Sequence, residues 1–358
     1  MAEGQTSLNP DVATPMTTNT TFWIASCTKL ITTVAALQCV EKGLLQLDAP
    51  IYEVLPEWKA PEILTGFDGL GEPQLKPATK KITLRQLLTH SSGMGYDFLS
   101  PDLASWRQWK GQPLGASDEP IIMRQALPLL YEPGDGWMYS VAIDWVGKMV
   151  ERVNGGVRLG EYMKQHILDP LGMTSTSFSL AENEHIRDRL CATAQRTADG
   201  KLTMSNPYNP LNPADDSGGG GLYSSVADYM KVLISLLKND GLLLRPDTVT
   251  IMFEPQLDDP KPLLAETQGS SGGAMFRGGI DCNAWNVGLG GILTTIDVEG
   301  VCRKGTLSWG GLPNLFWWID PMAGDCGMYA SQILPPGDQI SMELAVEFRR
   351  EIYARTLA

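Results

Sequence analysis

Ser26-Cys27-Thr28-Lys29 stands at the mouth of a long apolar run, Leu30-Ile31-Thr32-Thr33-Val34-Ala35-Ala36-Leu37-Gln38-Cys39. In that run Leu30, Val34 and Leu37 recur at i, i+4 and i+7, with Ile31, Ala35 and Cys39 beside them, so the spacing predicts a helix from Thr28 to about Lys42. Its apolar stripe is wide, as in a helix buried on most sides, and Gly43 is a natural stop. Positions i and i+3 are neighbours on a helix, so Ser26 and Lys29 share a face. A serine at a helix start lies beside unpaired N–H groups and the positive end of the dipole, which favours a developing oxyanion. A desolvated lysine one turn on can serve as its base. The competing reading is a serine cap with a surface lysine; against it, the turns that follow Lys29 are nearly all apolar.

Outward from this helix, residues 1–21 read as an irregular lead-in and 50–80 as loop. A short helix is expected over Ile82–His90, and residues 95–135 form an excursion of the kind that builds pocket walls. Val141–Val153 is a second helix with Ser140 as cap, and others are expected near 157–167 and 225–239. Residues 196–221 end in Gly218-Gly219-Gly220-Gly221 and read as a flexible loop. The tail differs: Gly291–Ile296, Val301–Ser308, Asn314–Ile319 and Gly327–Gln332 read as strands, and Asp338–Thr356 as a helix. Strands gathered at the end, after a mainly helical middle, give an α/β (α+β) chain with an antiparallel sheet and flanking helices. Residues 1–60 with 285–358 are the sheet region and 61–284 the mainly helical region, with a site in the cleft between them.

Composition narrows the function. The 358 residues are 43% hydrophobic, with 28 basic against 41 acidic side chains, a net charge of −13. Such an acidic body repels phosphate backbones, so nucleic acid is not an expected partner. No apolar run suits a membrane span, and MAEGQTSLNP lacks the features of a signal peptide, so a cytoplasmic setting is expected. Six scattered cysteines read as buried thiols, and three scattered histidines do not make a zinc site.

Two further motifs could join Ser26 and Lys29. Tyr139 lies in Glu132-Pro133-Gly134-Asp135-Gly136-Trp137-Met138-Tyr139-Ser140, where a turn delivers a phenol just ahead of a helix. Near a lysine it can shuttle protons; alone it reads as a core tyrosine. In Trp309-Gly310-Gly311-Leu312, at a strand end, the glycines allow close approach to the backbone and an amide could complete an oxyanion hole; alone it reads as a tight turn. Gly269-Ser270-Ser271-Gly272-Gly273 formally fits GxSxG but lacks the strand before it and the helix after it. Cys27 reads as a small buried residue, His90 as a structural histidine, and Lys76, Lys80, Lys81 and Arg85 as a solvated basic cluster.

The order Ser-x-x-Lys, Tyr139, Trp309-Gly310-Gly311, together with Ile82-Thr83-Leu84-Arg85-Gln86-Leu87-Leu88-Thr89-His90-Ser91-Ser92-Gly93, resembles the serine β-lactamase superfamily. That group includes class C β-lactamases, family VIII carboxylesterases and transesterases. Within it the chain is similar to fungal polyketide-pathway acyltransferases of the lovastatin type, through Thr28–Thr33, Asp144-Trp145-Val146-Gly147-Lys148, Tyr229-Met230-Lys231-Val232-Leu233, Gly288-Leu289-Gly290-Gly291 and Pro313-Asn314. The resemblance implies a β-lactamase/transpeptidase-like fold and Ser26 as nucleophile. It implies Lys29 and Tyr139 as a coupled acid/base pair, backbone N–H groups of Ser26 and Leu312 as oxyanion hole, and Trp309, Gly310 and Gly311 beside the substrate. It implies acyl transfer from a thioester or ester to an alcohol of a polyketide-like acceptor, without metal or cofactor. Ester hydrolysis by the same mechanism, or a non-catalytic binding role for the cleft, are the alternatives. An acyl carrier protein is a candidate partner.

Three departures from the pattern stand out. Tyr-x-Asn reads Tyr139-Ser140-Val141, and the Lys-Thr-Gly strand reads Trp309-Gly310-Gly311. The amide and the cation suited to a β-lactam are thus both replaced, which favours esters or thioesters. Only 25 residues precede Ser26, so the N-terminal strands are expected to be shortened or missing. The edge left open would be covered by a second copy, in a homodimer, or by residues 1–21 crossing it.

Overall fold

The computed structural model describes residues 1–115, 119–206, 209–269 and 284–357. Gly269 closes a helix; the remainder of the GxSxG-like stretch, residues 270–273, lies outside the described residues, as does Cys282. The other five cysteines are free thiols.

Strand β1 (Thr21–Trp23) leads through a single 3-10 turn, Ala25–Cys27, into α1 (Thr28–Glu41). Every α1 residue from Thr28 to Cys39 is buried, as its wide apolar stripe requires. The stretch expected as loop after it contains a hairpin, β2 (Glu62–Phe67) and β3 (Pro73–Pro77), with a bulge between Leu64 and Gly66. The hairpin is held from the side by Leu129, which exchanges backbone hydrogen bonds with Leu64 and Glu62. Its exposed positions carry Pro and charge, which conceals a strand pattern.

Helix α2 (Leu84–Leu88) opens on a capping box, Thr83 with Gln86. Helices α3 (Pro101–Trp109) and α4 (Ile121–Arg124) break up the long excursion, and α5 (Ala142–Val153) packs on α1. The expected Ser140 cap is not the one formed. Val141 occupies the cap without a side-chain bond, and the Ser140 hydroxyl is held 3.0 Å from His90 Nδ1. Helices α6 (Leu159–Met163) and α7 (Glu184–Arg187) follow, then strands β4 (Ala194–Arg196), β5 (Leu202–Met204) and β6 (Tyr223–Ser225). The region 61–284 therefore contains strands among its helices. Strand β6 pairs with β1, and α8 (Val226–Lys238) leaves β6 from a Ser225 cap.

The main sheet comes from the tail: β7 (Trp285–Gly288), β8 (Gly291–Thr294), β9 (Leu307–Gly311), β10 (Leu315–Asp320) and β11 (Asp325–Tyr329), antiparallel in the order β11-β10-β9-β8-β7. Strand β9 begins later than its apolar content suggests. Asp320 Oδ2 accepts the Arg303 amide (2.7 Å) and Asp297 Oδ1 the Lys304 amide (2.8 Å), so residues 301–306 are held as turns. Strand β12 (Ile333–Leu334) joins β4 in a separate small sheet. Trp317 faces the large apolar cluster shared with α1, α5 and α8, while Trp318 packs edge-on against Phe348 of the C-terminal helix Gln339–Leu357.

The N-terminal segment does not cross the main sheet. Ala192 donates its amide to Thr6 O, Ala227 donates to Thr18 O, and Met16 packs on the apolar cluster, so residues 1–20 lie beside 190–192 and the start of α8. Among the described residues no strand pairs with the outer side of β11. None of the described helices is long and apolar enough to cross a membrane.

Candidate active site

Ser26 lies in the turn between β1 and α1. Ala25, just before it, holds a left-handed backbone (φ 44°), a conformation that costs energy for a residue with a Cβ. The cap of α1 is Cys27, with no side-chain bond, so the Ser26 hydroxyl is not used as a cap. It lies 2.5 Å from Tyr139 Oη and accepts from Lys29 Nζ at 3.2 Å. The three residues that the sequence singled out are thus in one hydrogen-bonded group.

Lys29 is buried, and the position of its Nζ is defined by two more partners. It donates to Gly219 O (2.5 Å) and to Tyr96 Oη (3.2 Å), and it sits 4.6 Å from the centre of the Tyr139 ring. Neither partner was expected. The four glycines are a packed turn rather than a free loop. The Asp144 carboxylate accepts the Gly219 amide (3.0 Å) and the Ser217 hydroxyl (2.6 Å). A Cβ on Gly219 would lie 2.9 Å from Asp144 Oδ2, so glycine is what lets this carbonyl reach the lysine. Asp144 is one of the residues on which the family resemblance rested, and that was the one signal of its importance. Tyr96 had none beyond its place in a wall-building excursion. Burial holds the Tyr96 phenol well above its usual pKa, so it stays neutral.

Trp309 is in the middle of β9, behind Tyr139 and out of the main cavity. It is 4 % exposed, stacks on His90 at 6.0 Å, and has its ring 5.3 Å from that of Tyr139. Gly311 brings the strand against the nucleophile's turn: an added Cβ would lie 2.6 Å from Ile24 O and 3.3 Å from Cys27 Sγ. The expected close approach at these glycines is therefore made, at Gly311, by the protein's own backbone. Gly310 is buried opposite Phe316 in the ladder. Leu312, the next residue, does line the cavity together with Ser26.

His90 is a packed structural residue, with Nδ1 on Ser140 and its ring edge-on to Tyr139. Burial first, and then the charge of Lys29, hold its pKa well below the usual imidazole value. Burial likewise pushes the Cys27 thiol up, away from any nucleophilic thiolate. The basic cluster is dispersed: Lys80 pairs with Asp135, Arg85 with Asp48, and Lys81 lies over the Tyr52 ring.

The group opens onto a cavity of about 560 Å³. Trp23, Phe98, Pro210, Leu211 and Leu312 supply apolar wall; Arg124, Asp97 and Asp215 lie among the polar lining. Asp97 and Asp215 are already paired, with Arg107 and Lys148. A cavity of this size and lining suits an organic molecule larger than an acetyl group.

The Beta-lactamase family model matches residues 6–348. The chain belongs to the Beta-lactamase family. It is 39% identical to "Lovastatin esterase" of Penicillium rubens, across 99% of this chain and 90% of that protein. It is also 39% identical to "Monacolin J acid methylbutanoyltransferase" of Aspergillus terreus, across 95% of this chain and 84% of the relative. The unliganded structure of simvastatin synthase from Aspergillus terreus superposes with a TM-score of 0.88 at 36% identity, covering 99% of this chain and 90% of that one. The fold is thus β-lactamase/transpeptidase-like, and these fungal relatives are by name an esterase and acyltransferases.

Proposed function

We propose that this chain is a serine acyltransferase that moves an acyl group from a thioester or ester to an alcohol of a polyketide-like acceptor. The observation that carries the reading is the hydroxyl of Ser26, held by Tyr139 and Lys29 at the edge of a large, mainly apolar cavity. In the proposed sequence Ser26 Oγ attacks the donor carbonyl while its proton passes into the Lys29/Tyr139 pair. The backbone N–H groups of Ser26 and Leu312 face the oxyanion. The pair returns the proton to the leaving thiol or alcohol, and acyl-Ser26 remains. The acceptor hydroxyl then attacks the acyl carbon, gives its proton to the pair, and Ser26 Oγ takes one back. The donor thioester is a small-molecule one or one borne on an acyl carrier protein.

A carboxylesterase with the same machinery is the second reading, and the similarity to a lovastatin esterase favours it specifically. The two differ in whether water or an alcohol resolves the acyl-enzyme. A binding role alone would not require the Ser26–Lys29–Tyr139 contacts. Intact-protein mass spectrometry after incubation with a panel of acyl thioesters tests the reading. A long-lived adduct on Ser26, discharged by an added alcohol, supports transfer. Rapid formation of free acid supports hydrolysis, and the absence of any adduct or turnover overturns both.

A further inference from the structure

Lys29 Nζ has a protein partner in each of its three hydrogen-bonding directions: Ser26 Oγ at 3.2 Å, Tyr96 Oη at 3.2 Å and Gly219 O at 2.5 Å. The three are not equivalent. A carbonyl only accepts, so Gly219 O always takes an N–H. When Lys29 is a neutral amine it has two N–H bonds and one lone pair. The second N–H then goes to Tyr96 Oη, and the lone pair is left facing Ser26 Oγ, where a proton must be collected. Gly219 cannot shift to another arrangement, because its amide is tied to Asp144.

Tyr96 and Gly219 both line the substrate cavity alongside Ser26, and of these two Tyr96 is the one that meets the lysine with a side-chain hydroxyl. Its hydroxyl therefore occupies a position that is within hydrogen-bonding distance of the lysine and borders the space where the acyl group must sit. Without that hydroxyl, the same position is a site for a water with Lys29 as partner. Its ring is fixed from two sides, 4.9 Å from the Phe98 ring and 5.0 Å from the Tyr139 ring. Loss of the hydroxyl alone would thus leave the wall in place.

We propose that Tyr96 is a specificity-determining positioning residue, whose hydroxyl fills the lysine's remaining hydrogen-bonding position and so disfavours water relative to alcohol as the acceptor for acyl-Ser26. The proposal rests on the acyl-transfer reading above. In both outcomes the bond from the acyl carbon to Ser26 Oγ breaks and one proton returns to Oγ. With an alcohol, a carbon–oxygen bond to the alcohol forms and an ester leaves. With water, the new bond is to the water oxygen and a carboxylic acid leaves.

The test compares the full chain with its Tyr96→Phe variant, using p-nitrophenyl butyrate as donor and 1-butanol as acceptor. p-Nitrophenol reports total acyl-enzyme formed; butyric acid and butyl butyrate report its two fates. The ratio of acid to ester is independent of how much of either protein is active, so a merely structural role for Tyr96 would not move it. The expected result is a rise in that ratio of about three- to tenfold in Tyr96→Phe, the factor that one hydrogen bond of ordinary strength is worth. An unchanged or lowered ratio, with the parent protein making butyl butyrate, overturns the role of Tyr96 and leaves the transferase reading intact. A parent protein that makes only butyric acid overturns both. Should Tyr96→Phe release too little p-nitrophenol to partition, Tyr96→His is read in the same assay, since it keeps a ring and a polar atom. A ratio near the parent's in Tyr96→His with none measurable in Tyr96→Phe would show that Tyr96 serves acylation itself, and would overturn the proposal.

Discussion

Ser26 carries the sharpest expectation at the scale of single residues. Its hydroxyl caps no helix, so Ser26→Ala removes little beyond the reactive oxygen and its contacts to Tyr139 and Lys29. Acyl-adduct formation is expected to fall to background, with a melting temperature close to the parent's. Turnover at the parent rate would refute a covalent mechanism. Lys29→Ala and Tyr139→Phe are each expected to lower acylation severely, and the double variant to be little worse than the worse single one, because groups that form one proton-transfer unit are strongly non-additive. Burst kinetics with a chromogenic ester measure this; additive losses would mean separate roles. His90 gives a pH prediction. Its pKa is lower in the folded chain than in the unfolded one, so between the two values the unfolded chain binds more protons. Stability from this residue is therefore present above about pH 6.5 and is lost as pH falls toward the depressed folded value. Denaturation midpoints of the parent should fall between pH 7 and pH 5 more steeply than those of His90→Asn; parallel curves would exclude the linkage.

Elements decide how these residues meet, and at this scale the sequence is unevenly legible. Helix α1 was legible because an all-buried helix needs an apolar residue at nearly every position. Tyr139 and Ser26 were found by motif, but their hydrogen bond depends on packing between α1 and α5 that periodicity does not encode. The glycine turn at 218–221 was misread because glycines signal freedom when nothing shows what presses on them; here Asp144 and Lys29 do. The start of β9 was misplaced because two aspartates, distant in sequence or hidden in turns, capture the amides of Arg303 and Lys304. Gly311 offers a test at this scale. In Gly311→Ala the new Cβ would meet the Ile24 carbonyl at 2.6 Å, so β9 or the Ser26 turn has to move. Overpacking of this kind costs about 1–3 kcal/mol. Acylation is expected to fall at least tenfold while circular dichroism stays near the parent's, because positioning of reacting atoms is sensitive to small displacements. Acylation at the parent rate would show that the strand does not support the nucleophile's turn.

At the scale of the whole molecule, the fold places a mainly apolar cavity over the Ser26 group, and Trp309, which stands in place of the lysine of a Lys-Thr-Gly pattern, is packed behind Tyr139. Negligible nitrocefin turnover is therefore expected beside ester turnover; comparable rates would refute this account of the pocket. The N-terminal segment is the other global feature. The expectation that residues 1–21 cross the open side of the sheet fails, because Thr21–Trp23 pairs with β6 and the preceding residues follow 190–192. Yet the segment is bound: Thr6 and Thr18 accept backbone hydrogen bonds from Ala192 and Ala227, and Met16 lies against the core. Two backbone bonds and one half-buried methionine are together worth about 2 kcal/mol. Since about 1 kcal/mol shifts the melting temperature of a large domain by a few degrees, deleting residues 2–18 is expected to lower it by several degrees. The loss should also reach the site indirectly, because Thr21–Trp23 lead through Ile24 into the strained Ala25. A deletion variant with an unchanged melting temperature and an unchanged acylation rate would mean that the segment merely lies along the surface, and that the Ser26 turn is held by β6 and Gly311 alone.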